Sequence, residues 1–301
     1  MSENNRTVRN DMHAYLIMAH HRFDLLKILL TDLDDKRNDI FLHIDKKAGH
    51  IDEAEIRSWV HCAQLIFIPR MKINWGGFSQ IVCILEMLKI AIKMNYHTYY
   101  HFMVGVEFPL KSQDYIHNFF KLHKGKQFIG YDNSSEEYIE RICYKHVFNE
   151  YGRSKNILGK LMNVFHSFCV KLQKIIGVKY QNVNSNTYKK GNANWSITHE
   201  LAQYIVSKRT EIYKLYRYSY CADEIFIHTL VYNSRFYEDV YNYEDEYLSS
   251  MRLHQWEKGK NNQYHLNDID MLLQSGRLFA RKFDGDDGVE TMLAIKRQRR
   301  E

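Results

Sequence analysis

Between His13 and Gly105 the chain repeats one pattern: a short apolar run that stops on polar residues, then a stretch with helical spacing. "HAYLIMAH" (13–20) is followed by "FDLLKILLTDL" (23–33), "DIFLHID" (39–45) by "DEAEIRSWVHCA" (52–63), and "QLIFIP" (64–69) by a long periodic segment over 79–94 that leads into "TYYHFMVG" (98–105). Short apolar runs closed by polar residues read as buried strands, and 3.6-residue periodicity reads as helix. Strands that alternate with helices are joined most simply by right-handed crossovers, which gives a mostly parallel α/β sheet with helices on both faces. Ligands of such sheets sit beyond the carboxyl ends of the strands. The residues to inspect there are "AHHR" (19–22), "HIDKK" (43–47) and "GVEFPLKS" (105–112).

The rhythm lapses over 132–190, a segment rich in Tyr, Lys, Asn and Ser with one amphipathic helix predicted over 156–176. It reads as a helical insertion or lid whose apolar face packs on the core in preference to lying on a membrane. Order returns with "NANWSIT" (192–198) as a strand, "HELAQYIVSKR" (199–209) as a helix opened by Thr198, and "ADEIFIHTLVYNS" (222–234) as a second helix. "EYLSSMRLHQW" (246–256) and "RLFARKFD" (277–284) then read as strands, and "DGDDG" (284–288) as a turn. The expected organisation is a flexible N-terminus over 1–11, a single domain over 12–284 and a basic tail over 285–301 that contains "KRQRR".

Composition narrows the function. A net charge of +6 and a pI near 8.8 suit a polyanionic ligand, an acidic membrane surface or nucleic acid. The N-terminal "MSENNRTVRN" is polar where a signal peptide carries its apolar segment, so the expected location is cytoplasmic, at most peripheral to a membrane. Five cysteines with no CxxC pair argue against a disulfide framework or a zinc site. GxGxxG, P-loop, GxSxG and HExxH motifs are missing.

Taken together and in order, "AYLIMAHHR", "IFLHIDKKA", "INWGGFS", "YYHFMVGVEFPLKS", "GNANWSITHE", "ADEIFIHTL" and "RLFARKFD" resemble the core-2/I-branching β-1,6-N-acetylglucosaminyltransferases and peptide O-xylosyltransferases of glycosyltransferase family 14. The resemblance spans about Met12 to Asp284. It implies a GT-A-type fold and inverting transfer from a UDP-sugar to an acceptor hydroxyl. It also implies no divalent metal and no other cofactor.

Such a displacement needs a base for the acceptor proton and cations for the departing diphosphate. By resemblance Glu224 is the base. Asp223 beside it caps the helix or touches the sugar or acceptor, and Arg252 and Lys282, with Arg281 adjacent, hold the diphosphate. His20, His21, Arg22 and Asp45 fall to the nucleotide, and Glu107 and Trp195 to the sugar or acceptor. The lone Asp of "HIDKK" lacks the second carboxylate of an Asp-x-Asp metal site. "NW" replaces the Tyr-Phe of many branching enzymes, which leaves N-acetylglucosamine and xylose both open as the transferred sugar. The expected setting is bacterial surface polysaccharide synthesis on a glycan or lipid-linked glycan, the basic tail meeting the membrane and nucleic acid playing no part. Two alternatives stand beside this reading: a metal-dependent GT-A transferase using Asp45 or Asp223, and a non-catalytic carbohydrate or nucleic-acid binder.

Overall fold

The computed structural model describes residues 11–132, 137–151, 157–183, 186–254, 256–257, 260–261 and 263–299. The flexible N-terminus expected over 1–11 lies, but for Asp11, outside the described residues. From Met12 the expected alternation is present: β1 (Met12–Ala19), α1 (Phe23–Asp32), β2 (Asn38–Ile44), α2 (Glu53–Arg57), β3 (Gln64–Phe67), α3 (Ser79–Ile92) and β4 (His97–Val104). Next come β5 (Glu107–Pro109), α4 (Gln113–Leu122), α5 (Glu140–Cys143) and α6 (Ile157–Ile175). β6 (Trp195–Thr198), α7 (His199–Ser207), α8 (Arg209–Tyr216), α9 (Phe226–Tyr232) and α10 (Glu246–Ser249) follow. The chain closes with β7 (Arg252–His254), β8 (Trp256–Glu257), β9 (Lys260–Asn261), α11 (Ile269–Gln274), β10 (Phe279–Arg281) and α12 (Gly288–Gln298).

The main sheet has the order β3-β2-β1-β4-β6, parallel except for β6. Its central strands β1 and β2 are buried on both faces, which suits their apolar runs Tyr15–Ala19 and Ile40–Leu42, because both faces of the sheet are covered. On one face Leu16, Phe41 and Phe102 meet Ile81, Leu85 and Leu88 of α3 and Leu201 and Ile205 of α7. On the other, Ile17, Leu42 and Met103 meet Leu25 and Leu29 of α1, Ile116 of α4 and Met292 and Ile295 of α12. A smaller sheet, β5-β10-β7, stands beside the first and sets Arg281 opposite Glu107 and Phe279 opposite Arg252.

Four expectations need correction. The segment 246–256 is not one strand: the Asp245 carboxylate accepts from the Tyr247 and Leu248 amides and starts α10, and Met251, at φ 54°, breaks the chain into β7. The segment 222–234 is not one helix, since a 3-10 turn over Ala222–Glu224 is separated from α9 by Ile225 at φ −122°. The basic tail is largely α12, with Met292 and Ile295 in the core. Arg299 binds the buried Asp32 carboxylate at 2.5 and 2.8 Å, and Lys296 lies 3.6 Å from it, so these cations are tied to the body. Finally, the apolar stripe of α6 does not pack on the core, for only Gly159 of that helix is buried.

Candidate active site

Two polar clusters stand at the strand ends. Where β1 stops, the Asp45 amide donates to the Ala19 carbonyl and the Gly105 amide to that of Met18, which draws the ends of β2 and β4 around His20 and His21. Asp45 accepts from the Lys47 amide at 2.8 Å and lies 3.6 Å from its ammonium. The two histidine rings lie 4.1 Å apart, and His21 Nε2 is 3.5 Å from Asp284. Lys282 Nζ bonds the other Asp284 oxygen at 3.0 Å. Burial works against the charge on Asp284, but the Lys282 hydrogen bond and charge, with His21, hold it below the ordinary carboxylate range. Burial also lowers His20, helped by His21. His20, His21, Asp45 and Lys282, expected to serve the donor, therefore do converge.

The second cluster surrounds the acid pair. Cys221, at φ 46°, turns the chain into the Ala222–Glu224 turn, and its amide is held by the Gly76 carbonyl of the "INWGGFS" loop. Gln80 donates to Asp223 at 3.2 Å, and Arg141 of α5 donates to Glu224 Oε2 at 2.8 Å. The Gly191 amide donates to the Glu224 carbonyl at 3.0 Å. A side chain at 191 would meet the Gly130 carbonyl at 1.8 Å, so only glycine fits there. Lys47 Nζ reaches Asn74 Oδ1 at 3.1 Å, which ties the loop to the first cluster. Glu150 in turn fixes that loop through Asn74 and both the amide and hydroxyl of Ser79.

Behind both clusters runs a buried relay. Arg252 Nε donates to Glu107 Oε1 at 3.0 Å, Asn194 donates to Glu107 Oε2, and Arg281 Nη1 donates to Asn194 Oδ1 at 2.9 Å. Burial depresses the Arg281 pKa, while Glu107, Glu224 and Asp223 support its charge, so Arg281 is a second cation that the acid pair feels, after Arg141. Its Nε is buried and has no hydrogen-bond partner among the described residues. Lys282, next in the chain, serves the first cluster, and the end of β10 thereby joins the two.

The structure reassigns several expected residues. Arg252 is fully buried, its donors taken by Glu107, Ser196, Ser250 and Trp195, and its guanidinium stacked 4.8 Å from the Phe279 ring. It has no donor to offer a diphosphate. Glu107 is equally buried, both oxygens held, so it cannot receive a sugar hydroxyl. Trp195 offers no stacking face, because it is enclosed against Phe102 with ring centroids 5.4 Å apart. Arg22 binds Asp24 and the Asp284 and Gly285 carbonyls, and so ties down the loop after β10 instead of a nucleotide. Asp223 caps neither the 3-10 turn nor α9.

Arg141 and Asn194 escaped the reading of the sequence. Asn194 lies inside "GNANW", where it could have been found; Arg141 sits in the insertion with no motif around it. Among the described residues, no group of three or more His, Cys, Asp and Glu comes together to hold a metal ion.

Burial, then the neighbouring Glu224, raises the Asp223 pKa from 3.8 to about 7. The folded chain thus keeps a proton that the unfolded chain releases, so this stabilisation is full below pH 3.8 and is lost as pH rises through about 7. Asp223→Asn, neutral throughout, should raise the thermal midpoint at about pH 8 by the equivalent of ~1–2 kcal/mol, with the gain shrinking towards about pH 4. Melting curves across pH check this; a gain independent of pH would contradict it.

Fixed cations beside a carboxylate at the mouth of a mostly parallel sheet are parts suited to a glycosyltransferase. The Core-2/I-Branching enzyme family model matches residues 13–272, and the chain belongs to that family; it is a glycosyltransferase. Among solved structures it is similar to mouse xyloside xylosyltransferase 1 in its apo form, at 11% identity over 73% of this chain and 81% of that one, with a TM-score of 0.33.

Proposed function

We propose that the protein is an inverting, metal-independent transferase that moves N-acetylglucosamine or xylose from a UDP-sugar to a hydroxyl of a glycan or lipid-linked glycan, in surface polysaccharide synthesis at the cytoplasmic face of a membrane. The observation that carries this reading is Glu224: a partly exposed carboxylate with one oxygen on Arg141 and the other without a hydrogen bond from the described residues, lying in the field of Arg281.

The acceptor hydroxyl gives its proton to the free oxygen of Glu224 as its own oxygen attacks the anomeric carbon. The bond from that carbon to the β-phosphate oxygen breaks, and UDP departs with the electron pair. Lys282 and Arg281 take up the charge that grows there, a task that fixed donors perform without reorganisation. His20, His21 and Asp45 border the site for the nucleotide. Asp223, held protonated up to about pH 7, avoids setting a second negative charge beside the base.

A thermal-shift screen with UDP, UDP-N-acetylglucosamine, UDP-xylose and the GDP and ADP compounds, in EDTA, tests the donor and the metal together. Ligands that bind only the folded state raise the midpoint. Uridine compounds alone should do so, and turnover should survive EDTA; a metal requirement or silence with every uridine compound would defeat the proposal. Lys282→Met should weaken UDP binding about tenfold, the worth of a charge-assisted contact, when titrated by calorimetry. Unchanged affinity would remove Lys282 from the site.

A further inference from the structure

Helix α6 turns its apolar side away from the protein. Ile157, Leu161, Val164, Phe168, Leu172 and Ile175 recur at intervals of three or four residues and form one stripe, with exposures from 45% at Leu172 to 81% at Ile157 and Ile175. The opposite side of the helix holds it to the body: Gln173 exchanges hydrogen bonds with the Lys145 backbone, His166 meets His146 at 2.8 Å, and Lys174 pairs with Glu140 at 2.6 Å. The stripe is thus presented by a helix whose other face is anchored.

Charge indicates what covers it. Between Glu150 and Glu200 the sequence contains no Asp or Glu, while Lys160 and Lys171 lie along one edge of the stripe and Lys179 just beyond the end of the helix. A second copy of this helix would bring lysine rows together with no acid to pair them. An anionic lipid surface satisfies both features, taking the apolar side chains at the acyl boundary and the lysines among the headgroups. No helix among the described residues is long and apolar enough to cross a membrane, so the geometry is that of a helix lying in the interface.

We infer that α6 docks the protein on an anionic bilayer. Val170, from the inner side of the same helix, joins Glu140, Arg141, His146 and Tyr220 around a cavity of about 610 Å³. Arg141 is the partner of Glu224, so docking sets this cavity, and through it the acid pair, beside the membrane.

Cosedimentation of the full chain with vesicles of phosphatidylcholine, alone or doped with phosphatidylglycerol, tests the inference. Binding to the doped vesicles should exceed binding to the neutral ones by about tenfold or more and fall in high salt. Leu161→Ser/Phe168→Ser/Ile175→Ser should abolish it. Lys160→Glu/Lys171→Glu, which leaves the stripe intact, should lower it at least about tenfold, and melting curves confirm that both variants are folded. Turnover on a soluble acceptor, read alongside, should persist in both variants, so a failure of the proposed chemistry is seen separately from a failure of docking. Wild-type protein that ignores doped vesicles, or folded variants that bind like wild type, would overturn the inference. So would a wild-type dimer that the triple serine variant converts to a monomer, since the occupant would then be a second copy.

Discussion

Glu224→Gln is expected to lower sugar transfer by about 10²–10⁴-fold, the usual worth of a positioned general base. The amide keeps the shape of the carboxylate and an oxygen for Arg141, whose 2.8 Å hydrogen bond fixes the side chain. It cannot accept the acceptor's proton. Nucleotide affinity should stay within about twofold, because an interaction made only in the transition state lowers turnover without changing ground-state binding. Rates and calorimetric titrations on the same preparation check both halves; a variant that transfers sugar like wild type would leave Glu224 without its assigned part.

Glu107→Ala should cost about 3–5 kcal/mol of stability, a large share of what a domain possesses. The carboxylate is fully buried, receives Arg252 Nε at 3.0 Å and also accepts from Asn194. Burial raises the Glu107 pKa and lowers that of Arg252, and each group keeps its charge in the fold through the other. Removing one partner strands the other in the core. Asn194 also loses its anchor, and with it Arg281 loses the hydrogen bond that aims it towards the acid pair. The double change Glu107→Leu/Arg252→Met, which removes both charges, should recover most of the stability, because apolar replacements of buried ion pairs are often neutral. Urea unfolding of the three variants decides the matter: a Glu107→Ala protein as stable as wild type would show the relay to be idle.

Much of the fold was legible because parallel strands covered on both faces carry apolar runs, as Leu16–Met18 of β1 and Ile40–Leu42 of β2 do, and the helices that cover them show the 3.6-residue period. The smaller sheet was harder to read. Its strands hold three residues each, too short for a period to declare which side chain is inside. Arg252 was therefore given to the diphosphate by resemblance alone, and what holds it in the core is a partner 145 positions away. The same gap hid the division at the end of β10, where Arg281 lies near the acid pair and Lys282, just past the strand, bonds Asp284 beside His21. Local charge misled in α12, where "KRQRR" drew attention from Met292 and Ile295, three apart on the buried side. In α6 the period was read correctly, but periodicity reports that an apolar face exists and is silent about what covers it.

A single-turnover experiment isolates the chemical step in which Glu224 takes the acceptor proton. With enzyme in excess over UDP-sugar and acceptor saturating, product release no longer limits the observed rate. The Glu224→Gln protein should then form product about 10²–10⁴-fold more slowly than wild type at unchanged UDP affinity. If both proteins form product at the same rate, proton abstraction by Glu224 is contradicted, and with it the reading of the acid pair as the seat of transfer.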